Sequence, residues 1–180
     1  MVEDLRYPIG KFQWVPPANE NEMAKRRSQY IDALASLPDN FAKAVAGFAP
    51  EQFETPYRPE GWTVRQLVGH VPDSHANAYI RFKLALTEYE PTIKTYKEDM
   101  WAKLPDTAGA PVEVSLQLLS ALHARWVALL RGMDASDFAR TLRHPELGVL
   151  ELNRMLALYA WHSEHHTAHI TGLRKRMGWG

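Results

Sequence analysis

Apolar residues recur in this chain at helical spacing in four long runs, and none of its segments alternates with the two-residue period of a strand. A chain built that way must bury four stripes against one another, which predicts an all-α, four-helix bundle. The first run carries Tyr30, Ile31, Leu34, Leu37, Phe41, Val45 and Phe48 at spacings of three and four. Pro38 interrupts it and is expected to kink or divide the helix. The second run should begin at Thr63, which with Gln66 has the form of a capping box, and extend to about Glu88. In the third, Leu116, Leu119, Leu122 or His123, Trp126 and Leu130 share a side, with Gly132 near the end. The fourth should run from about Leu150 to Met177, ahead of Gly178.

What lies between the runs is uneven. Residues 1–20 contain Pro8, Gly10, Pro16 and Pro17 and show no period, so they read as an irregular arm lying over the domain. The segment from Tyr89 to Pro111 is a long connection between the second and third helices, with Tyr96, Met100 and Trp101 as anchors of its own. Its length allows a crossover there instead of simple up-and-down order, and connections beyond about 12–15 residues are often functional. No repeat or low-complexity tract breaks the chain, so residues 1–180 are expected to form a single domain.

Composition excludes more than it suggests. Twenty-one Lys and Arg balance twenty-one Asp and Glu, which gives no basic field for nucleic acid or anionic lipid. With no cysteine there are no disulfides, thiolate metal sites or cysteine nucleophiles, and imidazole and carboxylate are the strong ligands that remain. The N-terminus lacks the apolar run of a signal peptide, and no segment approaches the ~18 apolar residues of a membrane span, so a cytoplasmic location is expected.

The histidines carry the chemistry. Four of the eight lie in the run Trp161-His162-Ser163-Glu164-His165-His166-Thr167-Ala168-His169 and form two i, i+4 pairs, His162/His166 and His165/His169. That spacing stacks two imidazoles on one helix face, where both can reach one metal. At about 100° per residue, Leu152, Met155, Tyr159, His162, Ile170 and Leu173 all fall within about 40° of His166, whereas His165 and His169 lie about 100° and about 60° away. His162 and His166 are therefore the inward pair, and His165 and His169 are expected at the flank. Buried imidazoles need partners, so an inward pair in a bundle points to a metal. Ser163 before Glu164 breaks the H-E-x-x-H pattern and leaves a metalloprotease without its base.

A third ligand should come from the second helix, which offers His70 and His75. Position favours His75, within about 45° of the centre of the apolar face formed by Val64, Leu67, Val71, Ala78 and Phe82. Against this, Gln66, His70, Asp73, Asn77 and Arg81 form a polar stripe that would suit the wall of a wet pocket, and Pro72 distorts the phase beside His70. Spacing alone leaves the choice open.

The chain resembles the DinB-like helical superfamily, and within it the YfiT-like metal-dependent hydrolases. The matching stretches are Tyr7-Pro8-Ile9-Gly10, Thr55-Pro56-Tyr57-Arg58, Gly61-Trp62-Thr63-Val64-Arg65-Gln66 with His70, Asp73-Ser74-His75, Tyr79-Ile80-Arg81-Phe82-Lys83-Leu84, Pro91-Thr92-Ile93-Lys94, Trp101, and Trp161-His162-x-x-His165-His166 with His169-Ile170. The resemblance implies a bundle holding one divalent metal, zinc or nickel, through His70, His162 and His166. Gly69 departs from it, standing where relatives often have another histidine. Bacterial thiol-dependent transferases are similar as well, and in those the metal activates a low-molecular-weight thiol.

Three imidazoles on a divalent metal leave a position open, the arrangement of a catalytic site. The expected activity is metal-dependent hydrolysis of a small molecule, with S-transfer from a low-molecular-weight thiol as the rival. The third reading is a metal-binding helical stress protein without catalysis. Asp73 and Asn77 are candidates for positioning the nucleophile, while His75, Tyr159 and His169 could line the pocket. Trp62, Tyr96, Trp101 and Trp126 should pack, with Tyr96 and Trp101 having some claim to covering the site. Neither nucleic acid nor membrane is expected as a partner. A homodimer is expected by analogy with bundles that pair through exposed helix faces.

Overall fold

A computed structural model describes residues 4–179. Four long helices dominate it: α1 (Glu20–Val45), α3 (Val64–Thr87), α6 (Val112–Arg131) and α8 (Leu152–Met177). Short helices α2 (Pro50–Phe53), α4 (Glu98–Trp101), α5 (Pro105–Gly109) and α7 (Ala135–Phe138) lie in the connections, and strands β1 (Thr141–His144) and β2 (Gly148–Glu151) form an antiparallel hairpin before α8. No helix is long and apolar enough to cross a membrane among the described residues.

Local chemistry sets the helix ends. The Asn19 side chain accepts from the Glu22 N–H at the start of α1, and Thr63 and Gln66 close the expected capping box on α3. Gly178, at φ 66°, ends α8 in the left-handed conformation that glycine adopts without strain, after a last turn rich in Arg and Lys.

Three expectations need correction. Pro38 sits inside the continuous helix α1 and does not divide its run, and α3 likewise continues through Pro72. Leu150 belongs to β2, not to the fourth helix, and the hairpin escaped sequence reading because four-residue strands are too short to show a period. Its register pairs Leu142 with Leu150, and both are buried against the end of the bundle. Finally, the long connection is not where the bundle crosses over. α1 packs against α6 and α8, and α3 packs against the same two, so α3 and α6 are neighbours. The diagonal steps are instead from α1 to α3 and from α6 to α8.

The core divides into two apolar halves. One is built around Phe82, Trp126, Leu130 and Leu156, the other around Phe41, Leu67, Leu119 and Ile170. Between them, at the level of residues 70–75 of α3, 123 of α6 and 162–169 of α8, the buried side chains are mostly imidazoles. A polar layer thus crosses an otherwise apolar bundle.

Gly69 lies where α3 meets α5. A Cβ there would stand 2.9 Å from Thr107 Cγ2, and Thr107 is buried. That contact explains the absence of a side chain at this position. Gly69→Ala should lower stability by about 1–2 kcal/mol, although helix propensity alone would raise it by about 1. A urea midpoint that rises instead would show that the two helices can separate freely.

Candidate metal centre

The three histidines implied by the family motif come together in space. His70 of α3 and His162 and His166 of α8 each offer a ring nitrogen, and these atoms lie within 4.8 Å of one another. His162 Nε2 and His166 Nε2 are 3.0 Å apart. His70 packs its ring 5.1 Å from that of His166 and 5.5 Å from that of His162. Trp62 holds it from the other side at 4.6 Å, and the Trp62 indole N–H donates to Asp99 of α4.

Burial keeps these rings neutral. Desolvation pulls His70 down to about 4, the nearby Asp99 carboxylate opposing it, and pushes His162 and His166 well below the ordinary histidine value. The neighbouring imidazoles push in the same direction. Neutral imidazole is the form that binds a cation, and a three-nitrogen set of this kind suits zinc, nickel, iron or copper. The donor set therefore fits a divalent transition metal.

A second trio, His165, His166 and His169, also has ring nitrogens within 4.8 Å of one another. One of its members is engaged elsewhere, His169 Nε2 lying 3.3 Å from the Arg6 carbonyl while His169 Nδ1 faces His166 Nδ1 at 3.4 Å, and the buried His165 Nδ1 has no hydrogen-bond partner among the described residues. His165 is stacked on Trp161 with ring centroids 4.4 Å apart. The expected flank position of His165 and His169 is corrected here, since both are buried. The N-terminal arm covers that side of α8, with Tyr7 against His165 and Trp161 donating to the Gly10 carbonyl. A helical wheel has no knowledge of an arm that folds back from 150 residues away.

His75 does not compete with His70 for the trio. It lies one step further in, fully buried, between His162 and His123, with its Nε2 3.0 Å from His162 Nδ1 and its Nδ1 2.9 Å from His123 Nε2. His123 in turn places its Nδ1 2.7 Å from the Leu34 carbonyl. Sequence reading had no role for His123. The signal was present in its alignment with Trp126 and Leu130 on the buried side of α6, where a polar residue calls for a partner.

A cavity of about 610 Å³ lies near the trio, although none of the three histidines lines it. Its wall includes Tyr159, whose ring lies 5.7 Å from that of His162, together with Asp99, Ser74, Arg81 and Tyr96. His144 lines it as well. The long connection supplies Tyr96 and residues 97–100 to this wall, and Trp101 packs on Tyr96 at 4.6 Å without lining it. Trp126 packs in the core, as expected. Asp73 and Asn77 are elsewhere. Asn77 donates to the Asp73 carbonyl along its own helix, and among the described residues no hydrogen bond joins either one to the imidazoles. Burial, with Asp106 adding to it, raises the Asp73 carboxyl to about 6.

A four-helix bundle whose core is crossed by a layer of imidazoles defines a class of helical protein with histidines placed to hold a metal ion. The model of the DinB superfamily matches residues 33–170, and the chain belongs to that family. It is 52% identical over 178 residues to a Bacillus cereus protein named "Putative metal-dependent hydrolase", covering 99% of this chain and all of that one. A Bacillus mycoides protein of the same designation is 51% identical over the same span. Among solved structures, YfiT from Bacillus subtilis, described as "a probable metal-dependent hydrolase with an unusual four-helix bundle topology", superposes with a TM-score of 0.91 at 44% identity, covering 98% of this chain and 99% of that one.

Proposed function

We propose that this protein is a metal-dependent hydrolase acting on a small molecule, with His70, His162 and His166 as the ligands of one divalent ion, zinc or nickel. The observation that carries the reading is the group of three neutral, inward-facing imidazoles beside a cavity of substrate size. A structural site normally completes four protein ligands, whereas the group here numbers three among the described residues, which supports a catalytic over a purely stiffening role. When bound, such an ion lowers the pKa of a coordinated water to about 7 and polarises an electrophile.

The chain's own residues do the rest. Trp62 and the rings around His70 exclude water from one side of the trio. Tyr159 and Asp99 link the cavity to the trio, Tyr159 beside His162 and Asp99 bonded to the Trp62 that packs on His70, so a substrate in the cavity would present its reactive centre on that side. Asp73 and Asn77, offered from sequence as nucleophile-positioning residues, have no such place in this reading. A second copy of the chain remains the partner we would expect.

One feature favours S-transfer as a second reading: a chain without cysteine leaves the ion free for an external thiol. The zinc- or nickel-loaded protein should be given an activated ester with and without a low-molecular-weight thiol. Hydrolysis that is metal-dependent and unchanged by thiol is the expected result. Turnover only when thiol is present, with the sulfur appearing in the product, would replace hydrolase by transferase.

A further inference from the structure

A neutral imidazole carries one N–H, and a carbonyl oxygen can only accept. These two facts fix the proton on five rings of the buried layer, starting from the two ends of the hydrogen-bonded line. The Leu34 carbonyl of α1 lies 2.7 Å from His123 Nδ1, so that nitrogen donates and His123 Nε2 accepts. His75 Nδ1, 2.9 Å from it, must be the donor, which leaves His75 Nε2 to accept from His162 Nδ1 at 3.0 Å. His162 Nε2 then holds a lone pair and no proton. From the other end, the Arg6 carbonyl accepts from His169 Nε2 at 3.3 Å, so His169 Nδ1 must accept from His166 Nδ1 at 3.4 Å. His166 Nε2 is bare as well.

The anchor on α1 has its own origin in the sequence. In an α-helix the N–H of residue 38 would bond to the carbonyl of residue 34, but residue 38 is proline and has no N–H. Pro38, which local rules read as a helix breaker, instead releases the Leu34 carbonyl for His123. One hydrogen-bonded line therefore passes through all four long helices, from α1 through α6 and α3 to α8.

We propose that His75, His123 and His169 are positioning residues: anchored on the Leu34 carbonyl freed by Pro38 and on the Arg6 carbonyl, they hold His162 and His166 as Nδ1–H tautomers and aim both Nε2 lone pairs at one cation. The proposal rests on the three-histidine reading above for what the lone pairs receive, but the tautomers themselves can be tested without metal. Two bare nitrogens 3.0 Å apart repel each other, and a cation bound by both removes that repulsion. Because every member of both chains is uncharged, the ion would keep its full charge for polarising a substrate.

The test is long-range 1H–15N correlation spectroscopy of the metal-free, 15N-labelled protein at neutral pH, which reports the tautomer of each ring. The expected pattern is Nδ1–H at His75, His123, His162 and His166, with Nε2–H at His169. An Nε2–H at His162 or His166 would overturn the proposal. His123→Leu removes the acceptor for His75 and should scramble the His162 tautomer and weaken zinc binding by about 10- to 100-fold. His123→Gln, which can donate at one end and accept at the other, should recover most of that loss. A folded His123→Leu protein with an unchanged His162 tautomer and unchanged zinc affinity would also overturn it. If that variant does not fold, the wild-type spectrum decides alone. Zinc that binds without perturbing the His70, His162 and His166 resonances would sink the ligand reading while leaving the tautomer assignment standing.

Discussion

His70→Ala, His162→Ala and His166→Ala should each lose zinc or nickel affinity by about 100-fold or more. Structural zinc sites with four ligands are worth about 10–16 kcal/mol, so each ligand accounts for about 3–4 kcal/mol, or two to three orders of magnitude. His165→Ala is the informative control. It is buried and lies on the same helix, so its folding cost resembles that of the ligand variants, yet it belongs only to the competing trio. Metal content after dialysis, with circular dichroism to confirm the fold, should show loss in the first three variants and retention in His165→Ala. Retention in His70→Ala with loss in His165→Ala would move the site to the other side of His166.

Acid should unfold the metal-free protein in a narrow window. The buried rings have pKa values depressed in the folded state: His70, His123 and His165 to about 4 and His169 to about 3, desolvation being the main cause in each, with His75 and His162 and His166 pushed well down for the same reason. The unfolded chain binds protons near 6.5, where the native state binds none on these rings, so stability is full above that pH and falls as the pH drops toward about 4. For His123 alone the difference corresponds to about 3 kcal/mol. Two or three such groups match the whole stability of an ordinary domain, about 5–15 kcal/mol. Unfolding followed by circular dichroism should therefore begin below pH 6.5 and finish before pH 4. Adding zinc should lower the midpoint, because cation and proton compete for the same lone pairs. A chelated protein still folded at pH 3, or a midpoint indifferent to zinc, would contradict this account.

Much of the bundle was legible because helical period and capping are local properties. Thr63 and Gln66 marked the start of α3, Gly178 the end of α8, and the apolar stripe of α1 is the stripe that the structure buries. Where reading failed, the deciding partner was distant in sequence. Pro38 looked like a break because its effect on its own helix is local, while its use by His123 depends on α6 arriving beside it. His165 and His169 looked peripheral because the arm that covers them is not part of their helix.

The sequence by itself determined that α8 turns His162 and His166 inward together, since i, i+4 spacing on an apolar stripe allows little else. It also determined that whatever binds there meets imidazole and no thiolate. It could not choose between His70 and His75, because both lie on one helix and their roles differ only in what stands opposite. Tertiary structure separates the two: α8 sets His162 and His166 against His70 with ring nitrogens within 4.8 Å, while α6 brings His123 to the back of His75, whose other nitrogen faces His162. Spacing along a helix fixes direction, but only the packing of four helices decides which nitrogen faces which.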